Sequence, residues 1–136
     1  MNERQVAVAL VTHAPLGSAL KSVAEHIFGE HPGLTVIDVL PGACADDSTE
    51  SLVKRLQKLN TGAGVLLLTD LPGASPANIC VRACERVRQA GMSCAVVSGV
   101  NPSMVLRLVN YGTASLPELV QVALEGARQT IKRVDS

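Results

Sequence analysis

Two short segments of this chain hold side chains that could do covalent chemistry together. "VALVTHAPLG", residues 8–17, is an apolar run that stops at Thr12-His13. "TDLPGASPAN", residues 69–78, follows a second apolar run and brings Asp70, a Gly73-Ala74 turn and Ser75 before a helical stretch. An imidazole can attack an electrophile when one ring nitrogen keeps its lone pair. A carboxylate that accepts the proton of the other nitrogen fixes that tautomer. Asp70 is placed to take Nδ1–H of His13 and leave Nε2 outward. A phosphoryl group arriving at Nε2 carries negative charge, and the backbone N–H groups of Gly73, Ala74 and Ser75 at a helix start could receive it. Pro72 and Pro76 have no N–H and only shape the loop. Neither a Walker lysine nor a Mg²⁺ cluster accompanies these residues. The set suits exchange of a phosphoryl group with another protein rather than binding and splitting ATP.

Each piece alone has a plainer reading. A histidine at a strand end is commonly structural, "GASP" is an ordinary helix start, and an aspartate after a strand is often a turn former. What joins them is the order of elements. Apolar β-rich runs at 5–12, 34–39, 64–70 and 93–100 alternate with helical patterns at 17–29, 47–60 and 75–91. The first helix is expected to bury Ala19, Leu20, Val23, Ala24, Ile27 and Phe28. Asp47 or Ser48 should cap the second helix and Ser75 the third. A short helix near Ser103–Asn110 follows, and Ser115 with Glu118 reads as a capping box opening the last helix. This alternation predicts an α/β fold, doubly wound, with a four-stranded parallel sheet in the order 2-1-3-4 and helices on both faces. Ligands of such sheets bind beyond the carboxyl ends of the strands where strand order reverses. Here that point lies between strands 1 and 3, so His13 and Asp70 should share one crevice. The tail "RQTIKRVDS", 128–136, has weak β character and predicts a C-terminal edge strand.

Composition narrows the function. The 136 residues fit one domain, 1–136, with 47% hydrophobic and 18% charged residues. Twelve basic and twelve acidic residues cancel, and Phe28 and Tyr111 are the only aromatics. No basic field or stacking platform exists for nucleic acid. "MNERQ" and the broken run after it do not make a signal peptide, and no run approaches a membrane span. The expectation is a cytoplasmic protein. Cys44, Cys80, Cys84 and Cys94 read as reduced thiols, with Cys80 and Cys84 small core residues rather than metal ligands. No metal or cofactor is expected. His26 and His31 flank the first helix end as exposed residues. Asp38 reads as a turn residue away from the switch point, Asp46 and Asp47 as capping residues, and "KRLQK" (54–58) as a solvated face.

The segments "VALVTHAPLGSAL", "LPGACADDSTESLVKRL", "GVLLLTDLPGASPANI" and "VVSGVNPSMVLRL" together resemble the IIA component of the mannose-type sugar phosphotransferase system (PTS), nearly end to end. The resemblance implies a phosphotransferase whose His13 accepts phosphate at Nε2 from the carrier protein HPr and passes it to a IIB partner. Asp70 would orient the imidazole and Ser75 help hold the phosphate. It also implies a homodimer that exchanges the C-terminal edge strand. Two positions depart from the family pattern. Pro72 stands where a bulky or aromatic residue is common, and Pro102 comes one place early in "GVNPSM". The chain ends at Ser136, so the IIB is expected to be a separate protein, and contact with the membrane to run only through the permease. Three alternatives stay open: a stand-alone regulatory phosphoprotein, the phosphotransfer subunit of a dihydroxyacetone kinase, and a receiver-like or flavodoxin-like domain. The last fits poorly because strand 1 ends in Thr-His instead of an acidic cluster.

Overall fold

The structure is a computed structural model and describes residues 5–30 and 33–135. His31, expected to be exposed at the end of the first helix, and the first four residues of "MNERQ" lie outside the described residues. Four strands form one parallel sheet: β1 (Ala7–His13), β2 (Leu34–Val39), β3 (Val65–Leu68) and β4 (Cys94–Val97), in the order β2-β1-β3-β4. Five helices connect and flank them: α1 (Leu16–Phe28), α2 (Ala45–Leu59), α3 (Ser75–Gln89), α4 (Pro102–Val109) and α5 (Leu116–Thr130). The expected strand order and helix placement are those observed.

The alternation of side chains along each strand builds two cores. Leu10, Leu66 and Leu68 face one side, where Leu20 and Ala24 of α1, Met104, Val105 and Leu108 of α4, and Leu119 and Ala123 of α5 cover them. Ala9, Val11, Val65 and Leu67 face the other, under Leu52 and Leu56 of α2 and Ile79, Ala83 and Val87 of α3. Burial on both faces is why β1 and β3 read as continuous apolar runs and not as alternating ones. Cys80, Cys84 and Cys94 sit in the second core as small apolar groups, whereas Cys44 is exposed.

Helix starts differ from the sequence expectation. The N-cap of α2 is Cys44, with no side-chain cap, and Asp46 and Asp47 fall in the first turn, where their charge meets the helix dipole. The N-cap of α3 is Ala74, and Ser75 is already the first helical residue. Ser115 does cap α5: its Oγ accepts the N–H of Glu118 and donates to the Glu118 carboxylate. Pro102, one place early against the family pattern, occupies the first turn of α4 behind an Asn101 cap, a position that needs no N–H. Of the stripe expected on α1, only Leu20 and Ala24 are buried, together with Gly17. This helix packs on β1, β2 and α4 at one side of a narrow sheet, so Val23, Ile27 and Phe28 have no layer above them. The predicted C-terminal strand is not formed in the single chain. Residues 128–130 complete α5, and 131–135 pair with no strand.

Candidate functional site

Strand register brings the two chemistry-bearing segments to one end of the sheet. Leu10 of β1 lies beside Leu68 of β3. His13, three residues on, and Asp70, two residues on, therefore emerge together where the chain order reverses. The His13 Nδ1 lies 2.7 Å from Asp70 Oδ2, and the His13 backbone N–H donates to the same oxygen at 3.0 Å. The other carboxylate oxygen, Oδ1, accepts the N–H of Leu71 at 2.9 Å. Both Asp70 oxygens are acceptors, so the ring hydrogen bond requires the proton on Nδ1. The Nε2 lone pair is then free. The imidazole side chain is 49% exposed and the carboxylate 10%, so the acid is sheltered while the histidine meets solvent. Burial pushes the Asp70 carboxyl up. Hydrogen bonds from the His13 ring, the His13 amide and the Leu71 amide outweigh it and hold the group below the ordinary carboxylate value.

The loop after Asp70 follows from its sequence. In Leu71-Pro72-Gly73-Ala74 the proline takes the second place, Gly73 has φ +82, and the Ala74 N–H donates to the Leu71 carbonyl at 3.3 Å. This is the pattern of a type II turn, whose third residue needs positive φ and hence glycine. The turn decides where α3 begins, and so explains why Ser75 is a helical residue and not the cap. It also uses one of the three amides expected to face an anion. The Ala74 N–H closes the turn, while those of Gly73, Ser75 and Ala77 have no acceptor among the described residues. Asn78 Nδ2 donates to the Gly73 carbonyl at 3.3 Å and ties the turn to the helix.

Sequence reading overlooked what holds Asp70 from behind. The backbone after β4 clasps it: Gly99 N–H donates to the Asp70 carbonyl at 2.8 Å and Val100 N–H to the Thr69 carbonyl at 3.0 Å. Asp38 also differs from the turn residue expected. It lies within β2, paired in register with Thr12, and its carboxylate accepts the Ser18 hydroxyl of α1. The signal was present in "LTVIDV", where Asp38 shares a strand face with Leu34 and Val36 and is the polar member of an apolar set. His26 is exposed in the last turn of α1, away from this end of the sheet. Among the described residues no cluster of three or more His, Cys, Asp and Glu side chains could hold a metal ion. No helix there is long and apolar enough to cross a membrane.

Comparison with known proteins identifies a family. Residues 7–124 match the family model described as the PTS system fructose IIA component. The PTS system mannose-specific EIIAB component of Escherichia coli (strain K12) is 33% identical over 129 residues. That match covers 93% of this chain but 39% of the relative, so this chain spans about two fifths of the relative's length. The PTS system sorbose-specific EIIA component of Lacticaseibacillus casei is 31% identical over 114 residues, covering 83% of this chain and 79% of that one. Two solved structures share the fold. The mannose/sorbose-specific IIA subunit from Enterococcus faecalis has a TM-score of 0.84 at 19% identity, covering 97% of this chain and 96% of that one. Component EIIA from Streptococcus agalactiae has 0.82 at 23%, covering 94% and 96%.

Proposed function

Because this chain belongs to the mannose-type IIA family of the sugar phosphotransferase system, we propose that it is a phosphocarrier in which His13 relays a phosphoryl group between two proteins. The donor is phospho-HPr and the acceptor a separate IIB component, for uptake of a sugar of the mannose, fructose and sorbose class. The observation that carries the reading is the 2.7 Å bond between His13 Nδ1 and Asp70 Oδ2, beside a half-exposed ring. The Nε2 lone pair attacks the phosphorus of the donor's phosphohistidine and a new N–P bond forms. The donor's N–P bond breaks, and its electron pair stays on the donor imidazole, which takes up a proton. The His13 ring becomes cationic as the bond forms, and the Asp70 carboxylate on Nδ1–H stabilises that charge. Ser75 and the amides of Gly73 and Ser75, at the N-terminus of α3, are assigned to the phosphoryl oxygens. Transfer to IIB repeats the step with His13 as the leaving group. No cofactor enters the scheme.

An open, half-exposed nucleophile suits a donor that is itself a folded protein. The proposal places the protein in the cytoplasm, in touch with the membrane only through the permease. It also makes the protein a homodimer joined by the C-terminal segment. Incubation with enzyme I, HPr and phosphoenolpyruvate is expected to label the chain with acid-labile, base-stable phosphate. His13→Ala is expected to abolish the label. A label that survives that substitution, or no label on the parent protein, overturns the reading.

A further inference from the structure

We propose that Thr12 is a positioning residue for the nucleophile: its hydroxyl caps α1 from within the sheet and thereby holds the short link on which His13 turns. The inference rests on the reading of His13 as the attacking group. On its own side of the strand, His13 is held by its N–H bond to Asp70 Oδ2 at 3.0 Å, and the next amide, Ala14 N–H, donates to the Val39 carbonyl at 3.1 Å. Beyond that the chain leaves through Pro15 into α1, and the helix has no cap of its own. Pro15 stands at the N-cap with no acceptor in its side chain, and the first turn holds no acid. First-turn amides need acceptors from somewhere. Gly17 N–H finds Thr12 Oγ1 at 2.8 Å, in a side chain fully shielded from solvent. Ser18 Oγ donates to Asp38, the register partner of Thr12 across the sheet. The sheet therefore supplies the cap that the helix sequence lacks, and it does so from the residue next to His13.

The fit at Gly17 gives a second, independent sign. A Cβ there would stand 2.9 Å from Thr12 Oγ1, 3.0 Å from Val36 Cγ1 and 3.2 Å from Asp38 Oδ1. Gly17 lies in the helix and not among the positive-φ glycines, so its backbone does not require glycine. What requires it is the close approach to Thr12. Removing the hydroxyl leaves a buried N–H without an acceptor and frees the start of α1. The link from Ala14 to Leu16 then shifts and loosens the bond from His13 Nδ1 to Asp70. The tautomer with its proton on Nε2, which has no lone pair at that atom to attack phosphorus, gains population. Thr12 touches no reacting atom and acts through His13 alone.

The test compares Thr12→Val, Thr12→Ser and Gly17→Ala with the parent. Two readouts are used: long-range ¹H–¹⁵N correlation of the His13 ring, and labelling by phosphoramidate, a small donor that needs no docking surface. The parent is expected to show the Nδ1–H tautomer alone. Thr12→Val is expected to show a mixture and to label about tenfold more slowly or worse. Thr12→Ser, which keeps the oxygen, should restore both. Gly17→Ala should reproduce the valine result by wedging the contact open, and it stands in if Thr12→Val does not fold. A folded Thr12→Val with the parent's tautomer and labelling rate overturns the proposal, as does a serine variant no better than valine. If no donor labels the parent, the phosphocarrier reading fails, while the tautomer comparison still decides the role of Thr12.

Discussion

Asp70 accepts three N–H groups on its two oxygens, and that arrangement dictates how the protein answers acid. Its carboxyl is held below the ordinary value of 3.8 in the folded chain. In the unfolded chain it titrates at that ordinary value. Between the two, the unfolded state binds more protons, so stability rises with pH. The contribution from Asp70 is complete above the unfolded value and is lost as pH falls through the folded one. Urea unfolding followed at a series of pH values, between roughly pH 6 and pH 2, should show the parent losing stability on acidification. Asp70→Asn should show a shallower loss over the same window, because an amide has no proton to gain. Equal slopes for the two proteins would remove Asp70 from the acid response. The asparagine variant also exposes the chemical role, since an amide oxygen accepts from Nδ1–H but carries no charge for the imidazolium formed during transfer. Its phosphoramidate labelling should therefore fall while its fold at neutral pH is kept.

At the scale of elements, β3 is the strut that carries Asp70: β1 and β4 pair with its two edges, and burial covers both its faces. Leu66, Leu67 and Leu68 are fully buried, with Leu67 under α2 and α3 and Leu68 under α1, α4 and α5. Truncating Leu67 to Ala removes its contacts and leaves a cavity, a loss of about 3 kcal/mol. Leu71→Ala, at a position 60% exposed, should move the urea midpoint little. A Leu67→Ala protein as stable as the Leu71→Ala one would show that the two cores can collapse around the gap. The same physics explains what could be read from sequence. Apolar runs on β1 and β3 announce strands covered twice, and "LTVIDV" marks β2 to the residue. The meeting of His13 and Asp70 followed from strand order. Helix starts were not legible in the same way. At α3 a turn set by Pro72 and Gly73 fixes the entry one residue before Ser75, and at α1 the cap comes from Thr12 on a neighbouring element. Periodicity reports a face and is silent about what lies opposite. For that reason Val23 and Ile27 of α1 were expected inside and are exposed.

Among the described residues of one chain, the edge of β4 and the C-terminal segment both lack a partner strand. β4 lies at the end of the sheet order, so one of its backbone edges has no strand beside it. Such an edge invites pairing unless it is covered. The segment after α5 has the opposite deficit: Ile131 is 81% and Val134 90% exposed, with no strand beside them. In α5, Leu119 and Ala123 pack against the sheet, and the helix reaches β3 and β4, the strand at that edge. Under the homodimer proposed above, the tail of each copy adds a strand to the β4 edge of the other, which buries both apolar side chains. Sedimentation equilibrium should then give twice the chain mass for the parent and the chain mass after removal of residues 131–136. A parent that stays monomeric at high concentration, or a truncated chain that stays dimeric, rules out this mode of assembly. His13 and Asp70 both come from the same chain, and the bond between them crosses no subunit boundary. The truncated monomer should therefore still take phosphate from phosphoramidate at His13. Loss of that label in a folded monomer would mean that the second copy contributes to the site itself.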